Sequence, residues 1–399
     1  VEHFKSVLRR RRYDWSWHAS AIQSAISSLN EDLPKGIPFL GLVPEVEPGF
    51  LSAVLLGCQL SKLDLDGIAL RVDDSQAQIT WVHRPENAKS TTKTIDIKKV
   101  IASSAKIYLE EIRGEPSPYL YLHAAALVDL TANHEIRDNL FASDYLSQIQ
   151  SAFPQALSYR NGFLRFKGSE KSLEVGQWWI KDPDSKTAPL ADRVEIALVD
   201  FLIKNPGSSL ADLDSAICQN FPGLAPPSLE LLQECLASYG HQKDPQDDAW
   251  FILEGERPVK RRSDIQEMAT ILTEMGERLG FRIHYDPQTN HSVQWLKSDS
   301  QTQYQFFISP SAVLGKYLSL SQLNRGQCLI VLPGSRSNLV VYKLKQNVPF
   351  QQIADRGWKF IKYRHLRQLR DSSTLDIENL YEQLSLDPLT YSKPQIRLL

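Results

Sequence analysis

The stretch PFLGLVPEVEPGFLSAVLLGCQLSKLDLDGIALRV, residues 38–72, decides the fold reading. It opens on a continuously apolar run, PFLGLV, the pattern of a strand covered on both faces. Glu45, Pro48 and Gly49 then make a turn, with Pro48 well placed at a helix start. Residues 50–60 read as an apolar helix and LDLDGIALRV as a second strand. Upstream, YDWSWHASAIQSAISSL carries Trp17, Ile22, Ile26 and Leu29 near helical spacing and predicts an amphipathic helix. Downstream, QAQITWVH reads as a third strand, with Asp73 and Asp74 in the hairpin before it. The order α-β-α-β-β is half of a doubly wound α/β sheet.

The chain has 399 residues, which at about 150 residues per domain predicts two to four domains. Hydrophobic content of 42% and charged content of 23% are those of an ordinary soluble protein. A net charge of −2 exerts no global pull on nucleic acid, so any basic site must be local. Apolar runs reach about ten residues, against the roughly 20 that a membrane span needs. Cys58, Cys218, Cys235 and Cys328 are scattered with no CxxC pair, which points to buried thiols of a cytoplasmic protein. VEHFKSVLRRRRYDW lacks the apolar core of a secretory signal, and without an initiator Met, Val1 reads as an internal starting point. The histidines show no HxxxH or HxH spacing, so no metal site is expected. No G-x-S-x-G elbow exists to suggest a serine nucleophile.

RRRRYDW, LVPEVEPGFL, GIALR and QAQITW together resemble the later half of a SAM-dependent DNA amino-methyltransferase. The type is the large bacterial adenine-N6 or cytosine-N4 enzyme of restriction and defence systems. The resemblance covers about residues 4–83, and a looser likeness continues through PYLYLHAAAL and APLADRVEIALVDFL. In that family a helix and strand are followed by a helix and a final antiparallel hairpin, so a Rossmann-like sheet, DNA and SAM are implied. The Gly-rich SAM loop and the (D/N)PP(Y/F/W) catalytic loop are absent. The double proline of LAPPSLE follows Ala225, which has no acid or amide to grip a base amino group. The resemblance therefore implies no catalytic residue in this chain. SAM would be bound only if another segment or chain supplies the missing half, and the implied partner is a methyltransferase N-terminal half.

Residues 1–94 thus form the methyltransferase-like sheet. Residues 95–186 read as a helical connector, with two helices broken at GEPSP and short strands at FLRFKG and VGQWWIKDP. Trp178 and Trp179 could stack on bases, but adjacent tryptophans better suit the closure of a small core. Residues 187–262 place helices near 190–204, 209–220 and 227–239 before a short strand at 249–253, a winged-helix pattern. Its third helix offers Glu230, Gln233 and Glu234 without Lys or Arg. Carboxylates repel phosphates, so packing or protein contact is favoured over base reading. Residues 263–372 run helix, three strands (FRIHY, HSVQWLK, YQFFIS), helix (SAVLGKYLSL), the buried strand QCLIVLPG, and a helix or strand at SNLVVYKLK. That order resembles the core of PD-(D/E)xK restriction nucleases, whose Mg²⁺ needs an Asp on the second strand and E-x-K on the third. SVQW and YQFFI supply no carboxylate, so a nuclease-like domain without catalytic acids is expected; Asp286 and Asp299 are the acids an active alternative would use. Residues 373–399 read as a C-terminal tail. The fold class is α/β multidomain: partial Rossmann-like methyltransferase sheet, helical connector, winged helix and restriction-nuclease-like α/β domain.

Two basic clusters stand out. The first is Arg9, Arg10, Arg11 and Arg12. The second is RGWKFIKYRHLRQLR, residues 356–370, with Lys359, Lys362, Arg364, Arg367 and Arg370. If that segment is helical, neighbours at i+3 and i+4 align Lys359, Lys362, Arg367 and Arg370 in one stripe. Such a stripe would neutralise phosphates and make binding steeply salt-dependent. The plainer reading is a solvated or acid-paired face. LPGSRSN after a strand could cradle a phosphate at a helix start, although a P-loop would carry more glycines and a Lys. The expected function is the DNA-engaging, non-catalytic part of a DNA amino-methyltransferase, with DNA and a methyltransferase partner and no membrane. The alternative is a non-enzymatic winged-helix scaffold for protein contacts. Cations on one open face favour the first, and cations each paired with carboxylates favour the second.

Overall fold

The computed structural model describes residues 14–32, 34, 36–44, 46–71, 76–83, 96–132, 142–183, 187–244, 246–288, 291–297, 301–318, 320 and 326–389. The protein is a mixed α/β chain with several small sheets, divided into two compact units. Unit 1 takes Val1–Leu190 and Cys218–Ser228; unit 2 takes Ala191–Ile217 and Leu229–Leu399. The five sequence segments are regrouped accordingly. The first sheet and the helical connector share one hydrophobic core.

Unit 1 begins α1 (Trp15–Asp32), β1 (Phe39–Pro44), α2 (Pro48–Leu60), β2 (Leu63–Arg71) and β3 (Gln76–His83), the α-β-α-β-β order of the sequence reading. β3 lies between β1 and β2 and is antiparallel to both, with Leu40 opposite Thr80 and Ile68 opposite Ile79. β1 and β2 therefore run parallel, and α2 is the crossover that a parallel pair requires. Pro48 opens α2, where the helix has no intrahelical partner for that N–H. Leu51 through Gln59 are all buried, which accounts for a helix apolar on every side. Strand side chains alternate between faces. Val43, Leu70, Ala77, Ile79 and Trp81 point into the core, whereas Leu40 and Leu42 are 76% and 62% exposed.

Next comes α3 (Ile97–Ile107), capped by Asp96, whose carboxylate accepts from the backbone N–H of Lys98 at 3.1 Å and of Lys99 at 3.2 Å. It runs into a π-helical turn, Tyr108–Arg113, which Gly114 closes at φ 69°. A Cβ at Gly114 would sit 2.6 Å from the Ala188 carbonyl oxygen, so both conformation and space call for glycine. Then follow β4 (Ser117–Pro118), α4 (Tyr119–Ala132), α5 (Ala142–Ala156), β5 (Phe163–Phe166) and β6 (Gln177–Ile180). These strands form a sheet in the order β4-β6-β5. Trp178 and Trp179 on β6 are buried in the unit's core, so they are packing residues and not base platforms.

Unit 2 holds most of α6 (Leu190–Lys204) and α7 (Leu210–Asn220), with α8 (Leu229–Tyr239) and the hairpin of β7 (Gly240–Gln242) and β8 (Trp250–Ile252). Ser208 adds a single bridge to Trp250. The remainder runs α9 (Pro258–Arg278), β9 (Arg282–Asp286), β10 (Ser292–Leu296), β11 (Thr302–Ile308), β12 (Gln327–Leu332), α10 (Ser337–Gln346), α11 (Val348–Asp355), β13 (Lys359–Lys362), α12 (Tyr363–Arg370) and α13 (Leu380–Gln383). The sheet order is β13-β12-β11-β10-β9, with β9, β10 and β11 an antiparallel meander and β11, β12 and β13 parallel. α9 lies close against it: a Cβ at Gly276 would fall 2.3 Å from Ile283 Cδ1, and Trp295 Nε1 donates to the Leu272 carbonyl at 3.1 Å.

Two elements differ from the sequence reading. SAVLGKYLSL is not a helix; its described part holds a 3₁₀ turn at Gly315–Tyr317. Its backbone donors are met from outside: Glu195 accepts the Ala312 N–H at 2.8 Å and Asp192 the Gly315 N–H at 2.6 Å. With those donors satisfied, the segment has no need of a helical ladder. Residues 356–370 are likewise not one helix, because WKFIK joins the sheet edge, with Leu329 opposite Lys359 and Leu332 opposite Lys362.

Candidate nucleic-acid contact site

The expected contact residues Arg9, Arg10, Arg11 and Arg12 lie outside the described residues. The second cluster is split between β13 and α12, so the single stripe through Lys359, Lys362, Arg367 and Arg370 does not form. Its aromatic residues serve the core: Trp358 stacks on Phe307 with ring centroids 5.4 Å apart, and Tyr363 is buried. Every cation has a partner. Lys359 Nζ donates to Ser385 Oγ and lies 3.3 Å from the Tyr381 ring centroid. Lys362 Nζ donates to Asp387 Oδ1 at 2.9 Å and to the Pro388 carbonyl. Arg364 grips both oxygens of Asp387, Nε at 2.9 Å and Nη2 at 3.0 Å. Arg367 does the same to Glu267 at 2.8 and 2.7 Å, and Arg370 Nε donates to Asp371 at 2.8 Å.

These bonds hold the Glu267 and Asp371 carboxyls below the usual carboxylate range, the arginine hydrogen bond being the main cause in each. The Arg367 and Arg370 pairs are half exposed and contribute little stability. The Asp387 cluster differs, since its carboxylate and Lys362 are both buried. Sequence reasoning missed Asp387, which lies 23 residues beyond Arg364. Its faint signal is a lone acid in the otherwise uncharged run LSLDPL.

The third helix of the winged-helix pattern, α8, is mostly interior. Leu231, Leu232, Cys235, Leu236, Ser238 and Tyr239 are buried, leaving Glu230, Gln233 and Ala237 exposed. The loop LPGSRSN packs against it through Ser335 and Arg336, both bonded to Ser238. Arg336 is fully buried, its guanidinium carbon 3.4 Å from the Tyr239 ring centroid, and it pairs with Glu256 and donates to the Ser238 carbonyl. Beside it Lys343 donates to Asp192 at 2.6 Å, to Glu195 and to the Ala312 carbonyl, while Tyr239 donates to Glu195. Burial would lower the Lys343 amine, yet Glu195 and Asp192 hold it above its ordinary value. This network is sealed from solvent and therefore structural.

Unit 1 contains a serine–histidine–tyrosine chain. Ser52 Oγ lies 2.8 Å from His123 Nε2, and His123 Nδ1 lies 3.1 Å from the Tyr119 hydroxyl. Ser52 Oγ also lies 2.9 Å from the Pro48 carbonyl, so the serine hydroxyl is shared between the helix backbone and the imidazole. Burial pulls His123 down to about 3, so it is neutral in the folded protein.

Of the alternative nuclease acids, Asp286 ends β9 and accepts the Gln288 N–H at 2.9 Å, and Asp299 lies outside the described residues. Neither β10 nor β11 carries a carboxylate. Among the described residues no group of His, Cys, Asp and Glu could hold a metal ion, and no helix is long and apolar enough to cross a membrane.

No family pattern and no curated protein matches the chain. Among solved structures it is similar to the restriction endonuclease FokI bound to DNA, at 10% identity over 84% of this chain and 80% of that one, with a TM-score of 0.19. FokI without DNA gives 10% identity, 85% and 83% coverage and a TM-score of 0.21. Scores this low assign neither a fold nor an activity, so the functional reading rests on the chain's own residues.

Proposed function

We propose that the chain is the DNA-engaging, non-catalytic part of a SAM-dependent DNA amino-methyltransferase of a restriction or defence system. The observation that carries this reading is the first sheet. Its helix, strand, helix and closing hairpin are the arrangement that the resemblance implies for the later half of such an enzyme. Among the described residues, β1 has a strand on one side only, and its outer face presents Leu40 and Leu42. An apolar recess of about 280 Å³ opens beside it, lined by Ile22, Ile26, Phe39, Phe50, Val54 and Trp81 among others. A continuing half-sheet would cover these surfaces and pair the β1 edge.

SAM does not fit the residues present. The turn from β1 into α2 carries Val46, Glu47 and Pro48, with Val46 buried, and offers no Gly-rich loop to cradle a nucleoside. SAM and the amino-group chemistry therefore belong to the half supplied from elsewhere. Native mass measurement of the purified assembly tests this. The expected result is a companion segment or chain bearing the SAM loop and (D/N)PP(Y/F/W) motif, with SAM-dependent methylation of DNA. A lone 45.3 kDa species without SAM binding overturns it.

A second reading, a winged-helix scaffold for protein contacts, is favoured by the buried third helix and by the acid pairing of Lys362, Arg364, Arg367 and Arg370. It expects no salt-dependent binding to duplex DNA at all.

A further inference from the structure

The Asp387 carboxylate sits in an unusual cradle. Arg364 meets it with two parallel N–H donors, Lys362 adds an ammonium, and Lys359 is held nearby by Ser385. The fork geometry of Arg on a planar anion, reinforced by lysine, is that of phosphate recognition. The anion in it comes from the chain's own C-terminal segment. An open groove of about 410 Å³, lined in part by Lys359, Phe360, Ser385 and Pro388, leads to the same carboxylate.

We propose that Lys359, Lys362 and Arg364 form a binding site for a nucleic-acid backbone phosphate, and that Asp387 is a built-in stand-in which keeps it closed. The inference rests on the DNA-engaging reading above and deepens it by naming a contact and its control. The segment is suited to opening at its end only. Leu380 and Leu384 are anchored in the hydrophobic core of unit 2, whereas Leu386 is more than half exposed. Residues 385–389 can therefore peel away while α13 stays docked. The Arg364 side chain is already 59% exposed, so a phosphate can approach it before Asp387 leaves. No covalent step is involved, only the exchange of one anion for another on the same cations.

The test compares wild type, Asp387→Asn and Asp387→Asn/Arg364→Gln by anisotropy on a short duplex DNA across a salt series. Asp387→Asn keeps the side chain's size and removes its charge. Each phosphate gained adds about 0.9 to the slope of log affinity against log salt, worth roughly threefold or more in affinity at low salt. The single variant should show that gain and the double variant should lose it. In the wild-type protein, adding the duplex should speed hydrogen exchange at residues 385–389, a readout that does not depend on the variant folding. Wild-type DNA binding with an unchanged slope in Asp387→Asn and unchanged exchange would overturn the inference and leave the DNA-engaging reading standing. No duplex binding by any form would overturn both. Binding of tripolyphosphate but not DNA by Asp387→Asn would overturn the nucleic-acid assignment of the site.

Discussion

In the five-stranded sheet β12 lies between two parallel neighbours and every residue from Cys328 to Leu332 is buried. In the three-stranded sheet β1 has one neighbour, and alternate residues along it face solvent. The two strands, QCLIVL and FLGLVP, are similarly apolar. The difference is the cover that the rest of the chain supplies. β12 has a strand on each side and packed layers above and below, while among the described residues β1 has helices on one face only. An uncharged edge strand with outward leucines is the kind of surface that proteins normally protect. Among the described residues the second sheet is covered on both faces, and the first leaves Leu40 and Leu42 open, as the proposed function requires.

The sharpest way to break this comparison is to attack what fastens the complete unit. Lys343→Ala would leave Asp192 and Glu195 buried without their ammonium, and loss of one partner from a buried charge network costs about 3–5 kcal/mol. Denaturant unfolding should show that loss in unit 2. A change under about 1 kcal/mol would mean that water reaches the network and that the unit is looser than its burial implies. Next in size is a matched pair of truncations. Leu329→Ala on β12 should cost about 2–5 kcal/mol, and Leu42→Ala on β1 should stay within about 0.5 kcal/mol. Equal costs would erase the distinction between the strands.

Much of the local architecture was legible in the sequence. Apolar runs and helical spacing yield α1 through β3 in order, and the adjacency of Trp178 and Trp179 points to the core where both lie. Strand order was not legible, because the insertion of β3 between β1 and β2 is set by pairings that no local pattern encodes. The cationic segment misled for the same reason: its charges follow helical spacing, but its aromatic and aliphatic residues pair with β12. Lys343 meets Asp192 across 151 residues of sequence and Arg364 meets Asp387 across 23. A charged residue far from its partner in sequence reads as solvated until the fold brings them together. The same blindness hid the Ser52–His123–Tyr119 chain.

That chain gives the comparison a pH dependence, since unit 1 buries a neutral imidazole where unit 2 buries paired ions. An unfolded histidine titrates near 6.5, and the folded one near 3. Between those values the unfolded state holds a proton that the folded state lacks, so stability falls as pH drops below about 6.5. The slope from this residue approaches about 1.4 kcal/mol per pH unit. Chemical unfolding at several pH values should show it, and His123→Gln should flatten the profile by that amount. An unchanged profile in the variant would mean that the imidazole is protonated in the fold.

The smallest expected change in stability is the most informative about the exposed face of β1. Leu42→Lys places a charge on the outer face of β1, where lysine is a common guard against edge pairing. The side chain is 62% exposed, so the isolated protein should lose no more than about 0.5 kcal/mol. On the proposed function, its association with the methyltransferase half should fail, because that half would have to bury an ammonium among its own apolar side chains, at a cost of several kcal/mol. Thermal unfolding and co-purification of the two halves read the two effects separately. If the lysine destabilised the isolated chain by more than about 2 kcal/mol, Leu42 would already be packed within this chain, and β1 would need nothing added to it.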